Sequence, residues 1–313
     1  MNIASIDLGS NSVILLIAKH DKHTQQIISY QDFYTTPRVS ENVSQTGIIS
    51  NEAINRLDKV LLDFSIIIKK NNCDLVLLNA TNAFRIADNS YVVKNYIEEK
   101  YKWNVSIITG EEEARLSFIG TILPDYTNCT SLLIDIGGGS TEFIVGSSVK
   151  LNFRMSIQLG VVSLYEQFFK KSITDKYSTE KAEEYIISKL SELDFIFKSE
   201  FIALAVAGTP TTLSAIAYDV KKYSNKLVDN TTLELEQITE IRHRLFQLSY
   251  DEMRNEFGDV IVGREELIAG GSLILETCMK YFQIKKIIVS TKGLRYGAVY
   301  DYLIKHNLYA INS

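Results

Sequence analysis

The chain has 313 residues, enough for about two domains of roughly 150 residues each. Its 46% hydrophobic and 23% charged residues lie close to the globular average, and this excludes a chain that is mainly disordered. The 33 basic and 38 acidic side chains leave a net charge of −5, so we do not expect a protein dedicated to binding duplex nucleic acid.

Short β-branched and leucine-rich runs alternate with segments of helical periodicity, which is the pattern of α/β units. The runs predict strands at 3–6, 13–18, 75–78, 105–108, 132–136, 142–145, 202–206 and 287–289. Ser50 is predicted to cap a helix that ends near Lys70, because the apolar residues between them recur at three- and four-residue steps. Further helices are predicted from about Thr179 past Leu193, ending at 279–282, and over 296–303.

An internal repeat is the strongest sign of domain organisation. The segment 6–10 (IDLGS) returns as 134–140 (IDIGGGS), 128 residues later from aspartate to aspartate, and a second apolar run follows each copy. A repeat of this length indicates a duplicated domain. Pro124 lies between the copies and marks the junction. We therefore predict domains at 1–123 and 124–313, and leave open whether the terminal helix packs back on the first domain.

Each copy combines features that suit phosphate binding. Asp7 and Asp135 each lie at the end of a buried-type strand, a glycine-containing turn follows, and a hydroxyl residue precedes the next strand. Glycine lets backbone N–H groups approach an anion, hydroxyls donate to phosphate oxygens, and carboxylates can hold Mg²⁺. One copy alone could equally be a tight hairpin with a solvated aspartate, but two matched copies favour phosphate loops.

A third glycine turn, at Gly208 and Thr209, leaves a predicted strand and enters a predicted helix. Backbone donors at such a helix start suit a phosphate or a nucleotide. Taken alone, the turn is equally typical of a capped helix with a proline in its first turn.

The two loops, at 7–12 and 135–142, resemble the phosphate loops of the Ppx/GppA phosphatases, the exopolyphosphatase and guanosine pentaphosphate phosphohydrolase family. Six further segments resemble blocks of that family in order, at 79–87, 108–116, 159–162, 207–212, 263–264 and 290–297. The resemblance is to a short two-domain form. It implies an α/β fold of two duplicated RNase H-like domains, as in the actin, sugar kinase and heat-shock ATPase superfamily, which clamp a phosphate chain.

The resemblance also implies the residues of the site. Glu113 matches the family's catalytic glutamate, which we expect to orient or deprotonate the attacking water. Ligands for Mg²⁺ are expected at Asp7, Asp135 and Glu142. Substrate contacts are expected at Gly9, Ser10, Asn11, Ser12, Arg85, Gly137, Gly138, Gly139, Ser140, Thr141, Gly208 and Thr209.

Some of these assignments have an alternative. Without the resemblance, 111–113 is an ordinary acidic first helical turn that complements the helix dipole. Three arginines are either phosphate ligands or ion-pair partners: Arg115, Arg264 and Arg295. Ile14 stands where the family usually has an arginine, so the first loop lacks one expected positive charge.

The expected activity is Mg²⁺-dependent hydrolysis of the terminal phosphoanhydride bonds of inorganic polyphosphate. Hydrolysis of guanosine pentaphosphate at its 5′ end is the alternative, and a superfamily kinase or a non-catalytic nucleotide-binding protein are further alternatives. The sequence has neither a GxSxG nucleophile elbow nor an HExxH zinc motif, so no competing constellation arises. The resemblance further suggests a homodimer.

The apolar runs are shorter than the ~18 residues of a membrane helix, so we expect no membrane contact. Cys73, Cys129 and Cys278 are far apart and odd in number, which suits a reducing compartment better than a disulfide scaffold. We therefore expect a cytoplasmic protein in which Cys73 is an ordinary thiol.

Overall fold

The computed structural model describes residues 1–123, 126, 129–147, 150–170, 176–193 and 201–309. The chain divides into two compact units. The first unit consists of Met1–Asp125 together with Gly293–Ser313, and the second unit is Tyr126–Lys292. The segment that begins at Gly293 thus belongs to the first unit, whereas the predicted boundaries grouped it with 124–313. Pro124, the predicted junction, lies outside the described residues.

The first unit is built on a five-stranded sheet in the order β3-β2-β1-β4-β5. Its strands are β1 (Asn2–Leu8), β2 (Val13–Asp21), β3 (Gln26–Thr35), β4 (Leu75–Ala80) and β5 (Val105–Ile107). The helices before the second unit are α1 (Val43–Thr46), α2 (Asn51–Lys70), α3 (Asn82–Ile86), α4 (Ser90–Tyr101) and α5 (Gly110–Ile122). The first three strands are antiparallel neighbours, and β4 and β5 continue the sheet parallel to β1.

The second unit repeats this plan in a six-stranded sheet, in the order β8-β7-β6-β9-β11-β10. Its strands are β6 (Ser131–Ile136), β7 (Thr141–Ser147), β8 (Lys150–Ile157), β9 (Ile202–Val206), β10 (Thr231–Glu234) and β11 (Lys286–Val289). Its α-helices are α6 (Val161–Leu164), α7 (Lys176–Leu190), α8 (Gly208–Ala217), α9 (Asn225–Val228), α10 (Leu235–Leu245), α11 (Tyr250–Phe257) and α12 (Ile268–Tyr281). A π-helical turn follows α6 at Tyr165–Phe169, and a 3-10 turn follows α11 at Gly258–Ile261.

The two sheets share one topology, which confirms the predicted duplicated RNase H-like fold. In each sheet three antiparallel strands are followed by two that run parallel to the first strand of the unit. The second sheet adds β10 as an antiparallel edge strand. Because parallel strands require crossovers, α1–α4 lie between the parallel strands of the first unit in the chain, and α6–α12 lie between those of the second.

The terminal helix, α13 (Leu294–Lys305), packs against α5 and β1 within the first unit. The contact with α5 is so close that a Cβ on Gly120 would overlap the Gly293 carbonyl, and a Cβ on Gly297 would overlap the Leu116 carbonyl. Arg295 Nε donates to Asp32 on β3 at 2.6 Å, and both side chains are buried. Glycine contacts and this ion pair hold the terminal helix on the first sheet.

All eight predicted strands are present, and three strands were missed: β3, β8 and β10. In β3 and β8 exposed and half-buried residues dominate, and β10 has four residues, so none of them has the buried apolar run on which the strand predictions rested. The predicted helix from Thr179 begins earlier, at Lys176, and ends at Leu190 because the chain then turns. In the described part of the chain, no helix is both long enough and apolar enough to cross a bilayer.

The predicted cap of α2 is confirmed. The Ser50 side chain accepts a hydrogen bond from the Ala53 N–H at 3.2 Å. The helix buries its apolar stripe, including Leu57, Leu61 and Phe64, in the core on one face of the first sheet. Capping and burial therefore act on the same helix, and the cap satisfies a donor that would otherwise lack an intrahelical partner.

Replacing Ser50 with alanine should lower the stability of the protein by about 1 kcal/mol, because the Ala53 N–H loses its acceptor. The midpoint of urea unfolding, followed by circular dichroism, measures the change. Ser65→Ala is the matched control, since Ser65 lies inside the same helix and donates only to the Leu62 carbonyl of that helix. Equal midpoints for Ser50→Ala and wild type would contradict a stabilising role of the cap.

Candidate active site

The first predicted phosphate loop, Gly9–Ser12, connects β1 and β2. The Gly9 N–H donates to the Ser12 carbonyl at 3.0 Å, which closes the loop. A Cβ on Gly9 would lie 2.9 Å from that carbonyl oxygen, closer than real Cβ atoms approach. Glycine is therefore required at this position by close approach of the backbone.

The second predicted loop, Gly137–Ser140, connects β6 and β7 in the same way. The Gly137 N–H donates to the Ser140 carbonyl at 2.9 Å, and a Cβ on Gly137 would lie 3.0 Å from that oxygen. Each loop has four residues and follows an aspartate by two positions, Asp7 in one unit and Asp135 in the other. The sequence repeat therefore corresponds to a repeated backbone geometry.

Neighbouring segments bind the carbonyl groups of both loops. In the first unit Ser10 O accepts from the Ser40 N–H at 2.9 Å, and Asn11 O accepts from the Arg38 N–H at 3.0 Å. In the second unit the start of α6 binds the loop carbonyls. Its first two N–H groups donate to Gly137 O at 3.1 Å and Gly138 O at 2.7 Å. The carbonyl oxygens are thus bound within each unit.

The central N–H groups of the loops, in Ser10–Asn11 and Gly138–Gly139, donate to no acceptor among the described residues. The Ser10 side chain is 4% exposed, and its Oγ has no hydrogen-bond partner in the described part of the chain. Consecutive N–H groups of a turn can bind an anion, so these groups are candidate phosphate donors. In contrast, the Thr141 hydroxyl, a predicted substrate contact, donates to the Leu159 carbonyl.

Two of the predicted metal ligands lie side by side in the second unit. Asp135 on β6 and Glu142 on β7 are in-register neighbours, so their Cβ atoms are about 4.5–5.5 Å apart. Glu142 is 1% exposed and accepts a hydrogen bond from the Ser156 hydroxyl at 2.6 Å. Paired carboxylates are oxygen ligands of the kind that Mg²⁺ prefers, so these residues fit the metal. Within the described ranges, no group of three or more histidine, cysteine, aspartate or glutamate side chains is arranged to hold a metal ion.

Glu113 lies in the first turn of α5, where the Thr109 side chain caps the helix. Its Oε2 accepts from Arg85 Nη1 on α3 at 2.6 Å, and Arg85 also donates to the Ile108 carbonyl at 3.1 Å. The second terminal nitrogen of this guanidinium, Arg85 Nη2, is buried and has no hydrogen-bond partner among the residues described. The fold thus brings together the predicted catalytic glutamate and the predicted substrate-binding arginine.

The neighbouring glutamate, Glu112, has a different environment. Its carboxylate accepts two hydrogen bonds from Arg115, one from Nε at 2.8 Å and one from Nη2 at 2.7 Å. Arg115 also contacts Asp301 on the terminal helix at 2.8 Å, and its bonds to Glu112 and Asp301 raise its pKa above the ordinary value. Arg115, like Arg295, therefore belongs to the ion pairs that stabilise the first unit.

The third glycine turn has an arginine beside it. Gly208 begins α8, and the preceding Ala207 has a positive φ of 77°, which is rare for alanine. The Arg264 guanidinium lies so close to Gly208 that a Cβ there would overlap it, and Nη1 donates to the Thr212 hydroxyl at 3.3 Å. Among the three arginines in question, Arg264 is the one that contacts a candidate loop.

A model of the Ppx/GppA phosphatase family matches residues 16–306 of the chain. The chain belongs to the Ppx/GppA phosphatase family. This membership places it among the hydrolases that act on phosphoanhydrides.

Several known proteins and solved structures are similar to this chain. A family member from Aquifex aeolicus has a solved structure that is 27% identical, with a TM-score of 0.80 and coverage of 98% of this chain and 99% of that chain. The structure of an exopolyphosphatase-like protein is 25% identical, with a TM-score of 0.89 and coverage of 96% and 97%. The bifunctional 3-dehydroquinate synthase/phosphatase of Fusobacterium nucleatum is 31% identical over 95% of this chain. The chain spans about half the length of that relative, 46%.

In this Ppx/GppA chain, two polar residues that pair with candidate metal ligands were not predicted as site residues: Ser156, beside Glu142, and Asn79, beside Asp7. Ser156 was missed because β8 was not recognised as a strand, so its pairing with Glu142 could not be inferred. Asn79 lies in register beside Asp7 on β4, and its place in the 79–87 block was the available signal. On the other side of Asp7 the paired residue is Ile14, so the first hairpin has isoleucine where the second has Glu142.

The thiol of Cys73 carries no sign of reactivity. Burial, together with the neighbouring Asp74, raises its pKa to about 11. A thiol in that state stays protonated near neutral pH, and the thiolate is the nucleophilic form. The structure thus agrees with the prediction that Cys73 is an ordinary thiol.

Proposed function

We propose that this chain removes terminal phosphates from inorganic polyphosphate by Mg²⁺-dependent hydrolysis. The observation that carries the proposal is the contact between Glu113 and Arg85 at 2.6 Å, in which Arg85 Nη2 is buried and has no partner within the described residues. A partly buried carboxylate can orient and deprotonate a water, and the remaining guanidinium nitrogen can donate to a phosphate oxygen. The similarity to an exopolyphosphatase-like protein supports this substrate class.

Hydrolysis of a phosphoanhydride requires a water in line with the leaving group and donors around the phosphate. In the first unit, Glu113 would accept the proton of the attacking water while Arg85 binds the phosphate that is attacked. The unsatisfied N–H groups of Ser10 and Asn11 would donate to phosphate oxygens, and those of Gly138 and Gly139 offer the same donors in the second unit.

Asp135 and Glu142 would hold Mg²⁺ in the second unit, and Asp7 offers a carboxylate in the first. When bound, the ion supplies a Lewis acid that neutralises the charge on phosphate oxygens. Mg²⁺ is commonly bound in proteins by one or two carboxylates together with waters and substrate phosphates, so a pair of protein ligands is sufficient. The acidic net charge is compatible with a polyanionic substrate on this basis.

Guanosine pentaphosphate is the second candidate substrate, and one observation favours it. Arg264 lies against Gly208 at the start of α8, where backbone donors and a guanidinium could bind the additional phosphates or the sugar of a nucleotide. Polyphosphate could also supply phosphates there but has no sugar, so a contact with the sugar is what would favour the nucleotide.

Phosphate release from polyphosphates of several lengths, guanosine pentaphosphate and ATP, with Mg²⁺ or with a chelator, tests the proposal. We expect release from polyphosphate that chelation abolishes and added Mg²⁺ restores. Faster release from guanosine pentaphosphate would favour the second candidate. Absence of release from every substrate would reject the hydrolase and favour a kinase or a non-catalytic nucleotide-binding protein, and full release in the chelator would reject the metal requirement.

A further inference from the structure

The third strand of the second unit, β8, carries a hydroxyl to the buried carboxylate of Glu142. The in-register pairs Asp135–Glu142 and Glu142–Ser156 place these three residues in one row across β6, β7 and β8, on one face of the sheet. The Ser156 hydroxyl donates to Glu142 Oε1 at 2.6 Å. This short distance is typical of a hydrogen bond to an ionised carboxylate.

A buried carboxylate without donors is unfavourable, and its plane can rotate about the last side-chain bond. The bond from Ser156 fixes the position of Oε1 and therefore the plane of the Glu142 carboxylate. The strand register fixes the other partner, because Asp135 stands on the opposite side of Glu142 in the same row. Ser156 thus restrains how the Glu142 carboxylate is presented beside Asp135.

We propose that Ser156 is a positioning residue for the cation site of the second unit: it holds the Glu142 carboxylate in the orientation that binds a divalent cation together with Asp135. The inference rests on the proposed role of Asp135 and Glu142 as metal ligands. Residues that orient metal ligands typically contribute 10–100-fold, as an order of magnitude, to metal affinity. Ser156 acts through Glu142 and does not itself contact substrate.

Binding of Mn²⁺ to the purified full chain, measured by electron paramagnetic resonance with Mg²⁺ as competitor, tests this role directly. Ser156→Ala should weaken Mn²⁺ binding by roughly 10–100-fold. Ser156→Thr should bind close to wild type, because threonine keeps the hydroxyl and suits a strand. Ser147→Ala is the matched control, since Ser147 lies at the far end of β7 and pairs with Lys150, and it should bind like wild type.

The outcomes separate this inference from the proposed function. If wild type binds Mn²⁺, Glu142→Gln abolishes binding and Ser156→Ala binds like wild type, the positioning role is wrong and the metal site stands. If wild type does not bind, or Glu142→Gln binds normally, the metal site itself is wrong and the role of Ser156 falls with it. Loss of binding in both Ser156→Ala and Ser156→Thr, at unchanged unfolding midpoints, would also reject the role of the hydroxyl.

Discussion

Glu113→Gln lowers kcat/KM for phosphate release by roughly 10²–10⁴-fold if Glu113 accepts the proton of the attacking water. Glutamine keeps the size of the side chain and an oxygen for Arg85, but it cannot take up a proton at neutral pH. The loss should therefore lie mainly in kcat, with a smaller change in KM. Steady-state kinetics with the substrate that wild type prefers measure it.

Glu111→Gln is the matched control for this prediction. Glu111 lies in the same first turn of α5, but its side chain is exposed, whereas Glu113 is partly buried against Arg85. Glu111→Gln removes one negative charge from the same helix end as Glu113→Gln, so the two variants change the helix-dipole interaction alike. Equal activity of both variants would mean that Glu113 acts only as an acidic residue of the first turn.

The choice among the three glutamates illustrates what the sequence could predict. The block that contains them was recognised, and the family resemblance indicated Glu113. The structure then separates Glu113 from its neighbour Glu112. Glu112 binds Arg115, and Arg115 in turn binds Asp301, which lies 301 − 115 = 186 positions later in the chain. No local pattern contains that pairing.

The strands, too, were predicted only where the sequence carries a local pattern. Strands with a buried apolar run, such as β1 and β6, were predicted because burial on both faces leaves a continuous apolar run in the sequence. The edge strand β3 was not predicted, because half of its positions are exposed and its sequence, QIISYQDFYT, mixes polar and apolar residues. Asp32 on that strand binds Arg295, so the missed strand also concealed the reason that the terminal helix belongs to the first unit.

Gly160→Ala should disrupt the second phosphate loop from outside it. Gly160 precedes α6 and has a φ of −135°, which alanine adopts without strain. The added Cβ would nevertheless overlap the Gly138 carbonyl and the Gly139 nitrogen, so the loop must move. We expect a stability loss of about 1–3 kcal/mol from overpacking, and about a 10²-fold loss in kcat/KM, because displacement by about 1 Å suffices to misplace binding groups.

Gly270→Ala in the same unit provides the control, because a Cβ there would make ordinary contacts of 3.5 Å with Leu164 and Phe169. Inside α12 this change should be neutral or stabilising by about 0.5–1 kcal/mol. Urea unfolding and phosphate-release kinetics of the two variants separate steric displacement of the loop from a general effect of added methyl groups. Wild-type kcat/KM in Gly160→Ala would show that the position of Gly138–Gly139 does not limit the reaction, and the second loop would lose its proposed role in substrate binding.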